Sequence, residues 1–151
     1  MGERRWCAAA ASPSMNSLGA MVLEPAIRDL ASKGRNFGTL SVQLPNGQIA
    51  SHVMWVDAND DELLLNTEVH RSKYKAIQQH PQVTVTIWDY VNPYRYAEVR
   101  GRVGGEVRGD EARRDIDTLS QRYLGHDYAA TIQSERVVLR VTPIRQRSSG
   151  L

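Results

Sequence analysis

Two stretches of this chain combine side chains that could do chemistry. In Asn66-Thr67-Glu68-Val69-His70-Arg71-Ser72-Lys73-Tyr74-Lys75, an apolar run gives way to amide and hydroxyl side chains and then to three cations. The pattern predicts a strand ending at Asn66-Thr67 and a helix over residues 70–79, stopped by Pro81. A helix start offers unpaired backbone N–H groups and a positive dipole end, which suit a phosphate. Arg71, Lys73 and Lys75 would add charged donors at the same turn, and an arginine can grip phosphate with two parallel hydrogen bonds. The same cations would equally furnish an ordinary solvated helix face. The second stretch is Asn92-Pro93-Tyr94-Arg95-Tyr96-Ala97-Glu98-Val99-Arg100-Gly101-Arg102-Val103. It follows an Asn-Pro turn signal and mixes aromatic, cationic and β-branched residues along one predicted strand. On composition alone it is a barrel strand with one wet face or a strand that meets a ligand.

A third segment, Ser51-His52-Val53-Met54-Trp55-Val56, alternates as a strand, with His52, Met54 and Val56 on one side and Ser51, Val53 and Trp55 on the other. Polarisable Met and aromatic side chains suit the wall of a flat ring system, and they suit a barrel core just as well. Other chemistries find no support. Gly-x-Ser-x-Gly, a phosphate-loop Gly-Lys motif and Gly-x-Gly-x-x-Gly are all missing from the sequence. His52, His70, His80 and His126 are scattered, with no pair at metal-ligand spacing, so no metal site is expected. Cys7 is the single cysteine, which excludes an intrachain disulfide and a cysteine-based zinc site.

The elements that must position these residues read as a mainly β chain with a few helices. A helix spans residues 23–31, with Pro25 in its first turn and Gly34 as its stop. Residues 37–44 alternate as a strand, Asn46-Gly47 supplies a hairpin turn, and residues 49–56 return. A short strand at 63–65, a strand at 83–88, the Tyr- and Arg-rich strand to about residue 107 and a last strand at 136–141 bring the total to about six antiparallel strands. Gly104-Gly105 suits a bulge or corner, and Asp110 is placed to cap a helix carrying Ile116, Leu119 and Tyr123 on one face. Sequential hairpins with few helices favour a barrel over a doubly wound sheet.

The 151 residues are most simply one domain, expected over residues 22–145. Residues 1–21 read as a disordered extension or one preceding the true start, since Met15 and Met21 are alternative initiators. The tail from Arg145 reads as similarly loose. A net charge of +2, with 41% hydrophobic and 24% charged residues, describes a globular protein without a nucleic-acid footprint. No run is long enough to span a membrane, and a cytoplasmic location is expected.

Several of these motifs together resemble the pyridoxamine-phosphate-oxidase-like split barrels, specifically the branch that binds the deazaflavin coenzyme F420. The resemblance rests on Pro93-Tyr94-Arg95-Tyr96 with Glu98-Val99-Arg100-Gly101, on His52-Val53-Met54-Trp55-Val56, and on Asn66-Thr67 followed by Arg71-x-Lys73. It extends to Arg122-Tyr123-Leu124-Gly125 with Tyr128, and so covers residues 37–143. Ala76 stands where the family usually has Asn, and His80-Pro81-Gln82-Val83 replaces its usual Asp-Pro-Arg-Val stop. The resemblance implies a homodimer of split barrels with cofactor at the interface. Asn66, Thr67, Arg71, Lys73 and Lys75 would hold the phosphate, and His52, Val53, Met54 and Trp55 would lie against the ring. From the partner copy, Trp88, Tyr94, Arg95 or Tyr128 would close over it. The implied reaction passes a hydride between the deazaflavin and a small, conjugated, electron-poor substrate, with His52, Tyr94 or water as proton donor. FMN on the same barrel, or a non-catalytic flavin or haem binder, are the alternatives.

Overall fold

The computed structural model describes residues 21–151; the expected N-terminal extension lies outside the described residues except for Met21. Three helices and seven strands follow one another as α1 (Pro25–Ser32), β1 (Phe37–Gln43), β2 (Ile49–Trp55), β3 (Asp57–Ala58), β4 (Leu63–Glu68), α2 (Ser72–Gln79), β5 (Gln82–Trp88), β6 (Tyr96–Arg108), α3 (Gly109–Leu124) and β7 (Arg136–Ser149). All strand pairings are antiparallel, in the order β2-β1-β5-β6-β7-β4-β3. The sheet curls so that β2 comes back against β4 without joining it in a ladder, and the barrel is therefore split along that line. Leu40, Val56, Leu63, Leu65, Val85, Val99 and Leu139 are fully buried inside it, with Ile27 and Leu30 of α1 and Ile77 of α2 added to the same core. No helix among the described residues is long and apolar enough to cross a membrane.

Four expectations need correction. The seventh strand, β3, exists because Val56 interrupts the run: its N–H donates to the Tyr123 hydroxyl (3.2 Å) and its carbonyl accepts from Arg122, so neither group joins a ladder there. Tyr94 and Arg95 are not strand but continue the turn signalled by Asn92-Pro93, and β6 starts at Tyr96. Asp89 Oδ1 accepts the N–H groups of Val91 (2.8 Å) and Asn92 (2.9 Å), and the Arg95–Asp89 ion pair (2.6 Å) closes the loop, so Pro93, Tyr94 and Arg95 form the β5–β6 turn. Asp110 stands in the first turn of α3 beside Glu111, where it suits the dipole, while Arg108 holds the cap position. Finally, β7 runs through Pro143 to Ser149, and the tail expected to be loose pairs with β6 as far as Tyr96↔Ser149. Pro143 is tolerated because it sits at a register shift beyond the reach of β4, where no ladder donor is needed. Its partner Gly101 has no room for a side chain: a Cβ would lie 2.5 Å from the Thr142 carbonyl oxygen. The bulge expected at Gly104-Gly105 is present as a register shift between Val103 and Gly105.

Candidate functional site

The split between β2 and β4 opens a groove of ≈ 360 Å³. Its β2 wall is set by the hairpin. Leu44 N–H donates to Gln48 O (2.8 Å), and no register shift follows in the β1–β2 pairing. Antiparallel ladders alternate bonded and non-bonded pairs, so the N–H and C=O groups of Ser51, Val53 and Trp55 point away from β1, towards the split. Val53 is 64% exposed there, and Trp55 stacks on Tyr123 at 5.1 Å with an 8° interplanar angle. The Tyr128 ring meets Trp55 edge-on, held by its backbone N–H donating to Asp117 Oδ1 (3.0 Å). Ile116 and Leu119 of α3 supply the apolar floor.

The far end of the groove is cationic. Arg71 and Lys73, at the start of α2, face Arg136, the first residue of β7. Burial lowers the pKa of the Lys73 ammonium, and the nearby charges of Arg71 and Arg136 lower it further. One carboxylate serves the cluster. Glu68 is buried, with Oε2 at 3.6 Å from Arg136 and 4.0 Å from Arg71. Burial alone would raise its pKa; the backbone N–H groups of Ser134 (2.8 Å) and Gln133 (2.7 Å), with Arg136, outweigh that and hold it below the usual carboxylate value. Three cations against one carboxylate leave the cluster net positive, and like charges held together need an anion.

The groove thus gathers Val53, Met54, Trp55, Asn66, Thr67, Arg71, Lys73 and Tyr128 from the residues singled out in the sequence. Met54 only borders it, being 9% exposed and part of the core. The other candidates do not line it. His52 shares the inner face with Met54 and leaves a buried Nδ1 with no partner among the described residues. Lys75 is exposed on α2. Trp88 packs against Phe37 at 6.1 Å. Tyr94, 82% exposed, and Arg95 belong to the β5–β6 turn. Sequence reading missed Arg136, whose signal was only a charged residue opening an apolar strand, 70 residues from Asn66. A second, larger cleft of ≈ 890 Å³ shares Phe37 and Trp55 with the groove and runs along α1 to Arg95.

The antiparallel topology, with a groove along the line where the sheet fails to close, defines a split-barrel class. The chain belongs to the pyridoxamine 5'-phosphate oxidase family, whose model matches residues 23–149. Among solved structures it is similar to an F420 reductase (27% identity, TM-score 0.69), with 83% of this chain and 98% of that one covered. It is also similar in fold to a conserved hypothetical protein from Mycobacterium tuberculosis (23% identity, TM-score 0.59, 92% of this chain and 87% of that one). General Stress Protein 26 from Bacillus anthracis shares the fold at 19% identity and TM-score 0.61, with 82% and 91% covered. No curated protein matches the sequence.

Proposed function

We propose that this protein is an F420-dependent oxidoreductase acting on a small, conjugated, electron-poor substrate, and that its site is completed by a second copy of the chain. The observation that carries the reading is the groove itself. It offers outward-facing backbone donors and acceptors on β2 beside an apolar wall, and the Arg71, Lys73 and Arg136 cluster lies at its other end. A flat heterocycle with a hydrogen-bonding edge and a phosphate-bearing tail needs those three features in that order. The similarity to an F420 reductase favours the deazaflavin.

When bound, the cofactor supplies the two-electron hydride chemistry. The chain's own residues bind and orient. Arg71, Lys73 and Arg136 neutralise the phosphate, Val53 and Trp55 meet the edge of the ring through their main chain, and Tyr128 limits access of water. The exposed apolar side chains Ile49, Val53, Val91 and Tyr94 are the surface that a partner subunit would cover. Trp88, Tyr94 and Arg95, which do not line the groove within one chain, would reach a site across that interface. The protein would work in the cytoplasm as a homodimer.

FMN is the second reading, for one reason: a cluster of three cations and one carboxylate also matches the dianionic end of a phosphate monoester. Titrating F420 and FMN separately while following tryptophan fluorescence decides between them, because Trp55 lines the groove. F420 should bind more tightly by tenfold or more on the order of one charge-assisted contact. Tighter binding of FMN would transfer the function to the flavin, and no binding of either would remove the oxidoreductase reading.

A further inference from the structure

Asn66 stands in the groove wall, yet its amide has no N–H left to donate to an anion. Nδ2 donates to the Ala112 carbonyl (2.9 Å) and to Asp115 Oδ2 (2.8 Å), both on α3. Oδ1 accepts from Arg136 Nε (2.8 Å). An amide has two donor hydrogens, and both are used here; its oxygen, which has two lone pairs, takes Arg136 with one of them. The partners also fix its orientation. Turned over, the NH₂ would face a guanidinium and the oxygen would face a carboxylate and a carbonyl.

Arg136 therefore does not stand in the groove by its own rotamer preference. Glu68 lies directly opposite it across the β4–β7 pairing, with Asn66 on the diagonal of the same sheet face. Glu68 approaches Nη1 at 3.6 Å, Asn66 takes Nε, and the Tyr128 ring lies 5.3 Å from the guanidinium carbon. Arg136 is 7% exposed, a depth at which an arginine without fixed partners would cost far more than at the surface.

We infer that Asn66 is a positioning residue: it is oriented by Asp115 and Ala112 of α3, and it holds Arg136 so that the guanidinium presents its remaining donors to an anion in the groove. The inference rests on the anion-binding reading of the groove, but not on which cofactor carries the anion. It turns the expected role of Asn66 from ligand contact to support, and it makes α3 part of the anion site through Asp115. Asp115 is suited to this because it accepts the amide from a half-buried position; burial, with Asp57 adding to it, raises its pKa, against the pull of Asn66, Arg136 and Arg122. Loss of that carboxylate would free the amide to rotate.

A double-mutant cycle tests the assignment, with inorganic phosphate as the probe at constant pH and ionic strength and tryptophan fluorescence as the readout. Arg136→Ala should weaken phosphate binding about tenfold or more, as for loss of one charge-assisted contact. Asn66→Ala should weaken it by roughly half that factor or more in the unsubstituted background. In the Arg136→Ala background it should have less than about a twofold effect, because coupled residues do not add. Asp115→Asn, which still accepts the amide through its carbonyl, should retain affinity, and Asp115→Ala should behave like Asn66→Ala. Thermal melts identify any variant that does not fold; should Asn66→Ala be one, Asp115→Ala takes its place in the cycle. Additive losses would overturn the positioning role and return Asn66 to direct ligand contact, while leaving the anion site standing. No phosphate binding by the unsubstituted protein would overturn the anion site itself.

Discussion

Cations crowd two parts of this molecule and are used in opposite ways. Along β6 and its neighbours three arginines each have their own carboxylate: Arg100 with Glu98 (2.7 Å), Arg108 with Glu106 (2.9 Å) and Arg140 with Glu62 (2.8 Å). These pairs are partly exposed, and each settles its charge within the fold. At the groove, Arg71 and Arg136 share the buried Glu68 with Lys73 beside them, and burial and repulsion lower the pKa of Lys73 and, by burial, that of Arg136. The number of cations is therefore a poor guide to an anion site; compensation and depth are better ones. Both regions come from cation-rich stretches of sequence, and it is in the groove that the cations gather around one buried carboxylate.

Removing the shared carboxylate should break the contrast most severely. Glu68→Ala leaves two backbone N–H groups and Arg136 without their acceptor, and such loss within a buried pair costs about 3–5 kcal/mol. Urea unfolding should report it, and a loss under about 1 kcal/mol would mean that Glu68 is no more deeply engaged than the β6 carboxylates. The sign with pH follows from its depressed pKa. The stability Glu68 contributes is fully present above its unfolded value near 4.5 and is lost as pH falls through the lower folded value.

Single-cation variants compare the two regions directly. Lys73→Ala should weaken F420 by tenfold or more, equivalent to about 1.5–3 kcal/mol, with no loss of stability because a repelling charge is removed. Arg100→Ala and Lys33→Ala should leave affinity unchanged and alter stability by about 1 kcal/mol or less. Equal effects on affinity from Lys73 and Arg100 would erase the distinction. Isothermal titration alongside thermal melts gives both quantities.

The smallest effect is a pH slope, read with sulfate, whose charge is constant over the range. Lys73 in the free protein releases its proton below the ordinary 10.5, so sulfate affinity should decline as pH rises through that lowered value. Over the same interval the unliganded fold should gain stability, since the unfolded chain still binds the proton that the folded one has lost. Lys73→Arg should remove the slope, because an arginine stays charged throughout. A slope unchanged in that variant would assign it to another group.

Much of the fold was legible in the chain. Alternation located β1, β2 and β5, Asn46-Gly47 marked the hairpin, and Gly104-Gly105 marked the bulge, because period-two burial and positive backbone angles are local demands. The end of β7 was not legible: Arg145 to Ser149 are polar, and what makes them strand is the β6 ladder beside them. Tyr94 and Arg95 read as strand because their side chains suit one, while the Asp89 hydrogen bonds that make a turn of them involve the main chain. At the groove, Arg71, Lys73 and the Val53–Trp55 side of β2 were visible from neighbouring residues and spacing.

What the sequence by itself determined is the supply of parts: a cationic helix start, an alternating strand with Val53 and Trp55 on one side, and a late helix with one apolar face. Only the tertiary structure decided which parts meet. Arg136 reaches Lys73, and the Asn66 amide is spent on Arg136 and Asp115, because β7 pairs with β4 in one register and α3 lies across both. Local patterns select strand or helix through forces acting within a few residues. The choice of neighbour and register across some seventy positions is made by the burial of the whole sheet at once, and no short window of sequence contains it.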